Sequence, residues 1–137
     1  MVKFEKTGDI YTAKINVERN KNWENWVLLM SDIHFDSKFC DRKLLKKHLE
    51  EAKERNAQIY IFGDIFDCMG GKYDPRSDKS DLRPEYQVKD YFDEIVRDAV
   101  KFFKPYKDNI KLVTYGNHEL SILKRQEVDL INNFCER

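Results

Sequence analysis

No stretch of this chain approaches the ~20 apolar residues that a membrane-spanning helix needs. The opening residues Met1-Val2-Lys3-Phe4-Glu5-Lys6 lack the apolar core of a secretory signal. Cysteine is scarce. Cys40, Cys68 and Cys135 are an odd number with no Cys-x-x-Cys spacing, which leaves no disulfide framework and reads as reduced thiols of a cytoplasmic protein. Net charge is lacking as well, because 25 Lys and Arg balance 25 Asp and Glu. No overall field therefore draws the chain to nucleic acid or to a membrane surface. Internal repeats and low-complexity tracts are also missing.

What is present is the composition of a soluble globular domain, 41% hydrophobic and 13% aromatic over 137 residues. A chain of that length buries roughly two-thirds of its unfolded surface. Alternation of Tyr11, Ala13, Ile15 and Val17 with Thr12, Lys14 and Asn16 predicts the second strand of a hairpin over residues 3–16, turning at Thr7-Gly8-Asp9. Trp26-Val27-Leu28-Leu29-Met30 is a continuous apolar run, which predicts a strand buried on both faces of a parallel sheet. Ile59-Tyr60-Ile61-Phe62 predicts a second such strand and Ile110–Tyr115 a third. Helical spacing predicts a helix from an Asp41 N-cap to about Arg55, with Leu44, Leu45, Leu49 and Ala52 on one face. A longer helix is expected from about Tyr86 to Phe103, closed by Pro105, and a last one from Leu120 to about Phe134. Residues 68–85, with Gly70-Gly71, Pro75 and Pro84 among many charges, predict a long exposed loop. Loops of that length inside compact domains often serve as lids. The fold class is thus α/β, a mostly parallel sheet in β-α-β-α-β-α order behind an N-terminal hairpin, in a single domain over 1–137.

In such sheets the ligand crevice lies off the carboxyl ends of the strands, and the polar clusters sit there. Asp32-Ile33-His34 follows the first buried strand, Gly63-Asp64-Ile65-Phe66-Asp67 the second, and Gly116-Asn117-His118-Glu119 the third. An Asp and a His two apart on extended chain point to one side, as a shared metal requires. Of the 3 histidines in the sequence, His34 and His118 fall in these clusters, whereas His48 lies within the first helix. Chance turn residues explain each cluster alone, since turns favour Asp, Asn and Gly. They do not explain three clusters at three strand ends.

D-x-H, G-D-x-x-D and G-N-H-E in this order resemble the calcineurin-like metallophosphoesterase family, from about Val27 to Leu123. The resemblance implies that Asp32 and His34 bind one metal, that Asp64 bridges two, and that Asn117 binds the second through its amide oxygen. His118 would stand beside the scissile phosphate as a catalytic acid or charge stabiliser, with Asp67 and Glu119 orienting ligands. It implies metal-dependent hydrolysis of a phosphodiester or phosphomonoester. Two divalent ions ~3.5–4 Å apart activate water and stabilise the leaving oxygen in such sites. Oxygen and imidazole donors without thiolate favour manganese, with iron or zinc as alternatives.

The family pattern continues with a further histidine and a G-H-x-H segment, yet no histidine follows His118 here. The expectation is an N-terminal half of the domain that holds at most one metal by itself. A C-terminal half or a second chain would then complete it, covering an apolar sheet face and an unpaired edge. Activity of the isolated chain should be low or absent. Tyr73, Arg76, Lys79 and Arg83 in the long loop could clamp a phosphate, although a charge-rich loop is often simply solvated. Trp23 and Trp26 are expected to pack in the core or against the hairpin. Two further readings stand beside the enzyme: a metal-free protein-interaction module of the same fold, and a nuclease-like member acting on nucleic acid. Zero net charge counts against tight DNA binding.

Overall fold

The computed structural model describes residues 2–17, 19, 22–67, 83, 91–126 and 128–137. β1 (Val2–Thr7) and β2 (Ile10–Ile15) form an antiparallel hairpin whose end pair is Thr7 and Ile10. Gly8 supplies the left-handed turn residue at φ 60°. β3 (Val27–Met30) is followed by α1 (Arg42–Glu54), β4 (Gln58–Phe62), α2 (Tyr91–Phe103), β5 (Ile110–Thr114), α3 (Asn117–Gln126) and α4 (Leu130–Glu136). A single 3-10 turn, Lys104–Tyr106, carries Pro105 at the close of α2. The expected start of α2 near Tyr86 lies outside the described residues, as do Cys68, Tyr73, Arg76 and Lys79.

β3, β4 and β5 form a parallel sheet in that order. Strands laid down in sequence by crossovers of one hand place their helices on one face. That face carries Ile59 and Ile61, both fully buried, against Leu49, Ile95, Ala99 and Phe103. Phe35, Phe66 and Phe134 fill the layer near the strand ends, with Phe66 and Phe134 meeting edge-on at 6.1 Å.

The other face corrects the expectation of strands buried on both sides. Val27 is 43% exposed and Leu29 65%, so β3 is covered on one face only. The hairpin reaches that open face through Phe4, whose ring lies 6.3 Å from Tyr60, but leaves Phe62 exposed at the end of β4. Trp23 and Trp26 are likewise exposed rather than packed in the core, and the Arg55 guanidinium lies over the Trp26 ring at 4.1 Å. In α1 the capping reading agrees with the structure, since the Asp41 carboxylate accepts the Leu44 N–H at 3.0 Å. Leu44 itself points outward, leaving Leu45, Leu49 and Ala52 as the buried stripe. The last expected helix is two helices. Asp129 caps α4 by accepting the Asn132 N–H at 3.0 Å, so a new helix starts where continuous spacing suggested one rod.

Candidate metal centre

The ladder between β3 and β4 continues past both strands into the ligand segments. Asp32 N–H donates to the Gly63 carbonyl at 3.2 Å, His34 N–H to Asp64 at 3.1 Å and Phe35 N–H to Ile65 at 2.8 Å. The backbone there is not extended, which corrects the idea that Asp32 and His34 share a side by strand alternation. Asp32, His34 and Asp64 sit at φ 52°, 49° and 51°, in the left-handed region. Left-handed non-glycine residues cost of order 1–3 kcal/mol each and persist only where surrounding bonds over-determine them. Here those bonds turn three donors toward one point.

The donor atoms of Asp32, His34 and Asp64 all lie within 4.8 Å of one another. Asp64 is buried, while Asp32 stays open to solvent. His34 Nδ1 is 2.6 Å from Asp67 Oδ1, which leaves Nε2 facing the carboxylates, 3.9 Å from Asp32 Oδ1. The Asp67 hydrogen bond raises the His34 pKa above its ordinary value against the opposing effect of burial. The negative charges of Asp67, Asp64 and Asp32 add to the rise. Asp67 is placed in turn by its own N–H, which donates to Asp36 Oδ1 at 2.5 Å. Asp36 is fully buried. Only tertiary pairing reveals this supporting role, because Asp36 and Asp67 lie 31 residues apart in the chain.

The third cluster arrives on the first turn of α3. His118 N–H, free of any intrahelical partner at the helix start, donates to Asp64 Oδ1 at 3.0 Å. The Asn117 amide lies 2.6 Å from Asp64 Oδ2. With its nitrogen inward it donates there; with its oxygen inward two acceptors face each other, as they do when they share a cation. His118 Nδ1 meets the Asp67 carbonyl at 2.5 Å, and its ring lies edge-on to His34 at 4.9 Å. His34, Asp67 and His118 thus form a second group of donors within 4.8 Å.

Glu119 holds backbone rather than a ligand side chain. It accepts the Gly116 N–H at 3.2 Å, the reach-back of a capping box. The same carboxylate accepts Asp64 N–H at 3.1 Å and Ile65 N–H at 2.8 Å. One buried acid therefore ties the start of α3 to the loop after β4. Burial pushes the Glu119 pKa up to about 7, opposed by hydrogen bonds from the Glu119 and Phe66 backbone, while a side-chain hydrogen bond with Asp64 and the Asp64 charge add to the rise. Close backbone approach completes the joint. A Cβ on Gly63 would meet the Gly116 Cα at 2.8 Å, and one on Gly116 would overlap the Asp64 carboxylate.

Of the segment 68–85, expected to be an exposed loop, only Arg83 is among the described residues. Its N–H donates to the Asp36 carbonyl at 3.1 Å and its guanidinium to the Cys40 carbonyl at 3.3 Å. It braces the chain behind the first ligand segment. Among the described residues the candidate donors are carboxylate oxygens and imidazole nitrogens, which fit a divalent metal ion.

A parallel α/β sheet with such donors gathered at its strand ends is a candidate metal-binding site. A model of the calcineurin-like phosphoesterase family matches residues 26–136, and the chain belongs to that family. Its members are metal-dependent hydrolases of phosphoesters. No curated protein and no solved structure gives a significant match. Among the described residues, no helix is long and apolar enough to cross a membrane.

Proposed function

We propose that this chain hydrolyses a phosphoester at a dinuclear centre built on its strand ends. Asp32, His34 and Asp64 would hold one ion, and Asp64 with Asn117 the other. Convergence of the Asp32, His34 and Asp64 donor atoms within 4.8 Å, on three left-handed residues, carries this reading. When bound, the ions supply charge for the phosphate oxygens and activate the attacking water. The chain's own groups do the rest. Asp67 keeps the His34 proton on Nδ1, so Nε2 is the donor. The Asp67 carbonyl fixes His118 by Nδ1 and leaves its Nε2 to face substrate, where a proton can pass to the leaving oxygen. Glu119 locks the backbone that carries Asp64 and Asn117.

The first position has three ligands from this chain and the second only two. We infer that one ion binds firmly and that further donors, from another segment or a second chain, are needed for full turnover. Manganese is the expected ion, in a cytoplasmic setting of reduced thiols. Tyr73 and Arg76 of the long loop are the proposed substrate contacts. Among substrates, a nucleic acid is the less favoured, since the net charge is zero.

The test is manganese binding by calorimetry together with hydrolysis of bis(p-nitrophenyl) phosphate, beside Asp64→Asn. One bound ion, lost or weakened at least tenfold in Asp64→Asn, is the expected result, with turnover low unless a completing chain is added. A chain that binds no manganese would instead be an interaction module of the same fold.

A further inference from the structure

Lys38 and Phe39 stand where the first ligand segment leaves the metal centre. Ser37 N–H donates to the His34 carbonyl at 2.9 Å and Cys40 N–H to the Ser37 carbonyl at 3.1 Å, so the chain turns twice directly after the ligand. A turn brings its ends within about 7 Å and two more residues add at most about 7 Å, placing the Phe39 Cα within about 14 Å of the His34 Cα.

These turns are pinned from below. Buried Ser37 accepts the Phe39 N–H on its hydroxyl at 3.2 Å. The Cys40 carbonyl accepts Arg42 N–H at 3.0 Å and the Arg83 guanidinium at 3.3 Å. On this fixed backbone the Phe39 ring is 74% exposed, the most of any large apolar side chain among the described residues. A scattered exposed apolar residue needs no explanation. A ring presented on a hydrogen-bonded turn that starts at a candidate metal ligand does. The Lys38 ammonium lies over one face of the ring, 5.2 Å from its centroid, and leaves the other face open.

We propose that Phe39 and Lys38 form the platform that selects the ester group: a flat aromatic ring stacks on the Phe39 face opposite Lys38, while the Lys38 ammonium at the ring attracts the adjoining phosphate. The preferred substrates are thus phosphoesters of a nucleoside or an aryl alcohol rather than of an alkyl alcohol. The phosphate half of this statement rests on the hydrolase reading above, and the test separates the two.

Adenosine, titrated into the metal-free chain and followed by NMR, should shift the Phe39 ring protons and the Lys38 amide. In Phe39→Ala the Lys38 amide shift should vanish, and Phe39→Trp should restore it. No shift in the native chain, or an undiminished one in Phe39→Ala, overturns the platform whatever the metal does. With saturating manganese, calorimetry then compares methyl phosphate, phenyl phosphate and adenosine 5′-monophosphate. Stacking gains should make the ring-bearing esters bind roughly 5- to 100-fold more tightly than methyl phosphate, and Phe39→Ala should erase that ratio without weakening methyl phosphate. A clear lead of the nucleotide over phenyl phosphate identifies a nucleobase as the ring; parity identifies aryl esters. Equal affinity for all three overturns the proposal. If no phosphate binds while adenosine shifts persist, the hydrolase reading falls and the stacking platform stands.

Discussion

Asp32, His34 and Asp64 share a left-handed backbone with only Asn56 among the described non-glycine residues. Such conformations persist because the Asp32, His34 and Phe35 N–H groups are taken by the facing loop, and because Glu119 fastens that loop to α3. Glycine makes the last approach feasible. Gly116→Ala would set a methyl group into the Asp64 carboxylate, which has no room to retreat from the His118 N–H. We expect at least a tenfold loss of manganese affinity by calorimetry, with far-UV circular dichroism unchanged. Retention of native affinity would show that Asp64 is not held where the structure has it. At this scale the donors were legible because Asp, His, Asn and Gly cluster at strand ends. The work of Asp36 and the backbone grip of Glu119 were not, because each depends on a partner 31 to 55 residues away in the chain.

Elements join through a few polar pins laid over apolar packing. Tyr106, in the turn after α2, is buried and its hydroxyl donates to Glu50 of α1 at 2.5 Å. Burial, with the Glu50 hydrogen bond and charge adding to it, pushes the Tyr106 pKa up to about 12. The folded value exceeds the ordinary value of about 10, so the neutral phenol is favoured by folding. Its contribution is full below pH 10 and is lost as pH rises from 10 toward 12. Urea unfolding across that window should show a steeper decline for the native chain than for Tyr106→Phe; equal slopes would mean the pin does not contribute. Helical spacing placed α1 and the end of α2 well because their buried residues recur at three and four. It merged α3 with α4, since Leu123, Leu130, Ile131 and Phe134 fit one period, and only the Asp129 cap shows the break.

Among the described residues, the parallel sheet is packed by helices on one face and only partly covered on the other. Helices bury one face, and the hairpin touches the other at Tyr60 but leaves Leu29 and Phe62 open. An exposed apolar face and a flat strand edge favour association. Leu29→Lys should therefore cost less than about 0.5 kcal/mol in urea unfolding while shifting sedimentation toward monomer at high concentration. By contrast Leu49→Ala, in the fully buried layer, should cost about 2–5 kcal/mol. A Leu29→Lys variant that unfolds, or that associates as the parent does, would show that this face is already satisfied within the chain.

Local chemistry determined much of this protein. Apolar runs and helical spacing set the element order, and Asp, His and Asn types at three strand ends mark the candidate donors, because both follow from residues near in sequence. Tertiary structure alone decided that Val27, Leu29 and Phe62 are exposed, that the candidate ligands meet through left-handed backbone, and that Asp36 and Glu119 brace them. Those outcomes depend on pairings between distant segments, where a run of apolar residues looks the same whether its second face is packed or bare.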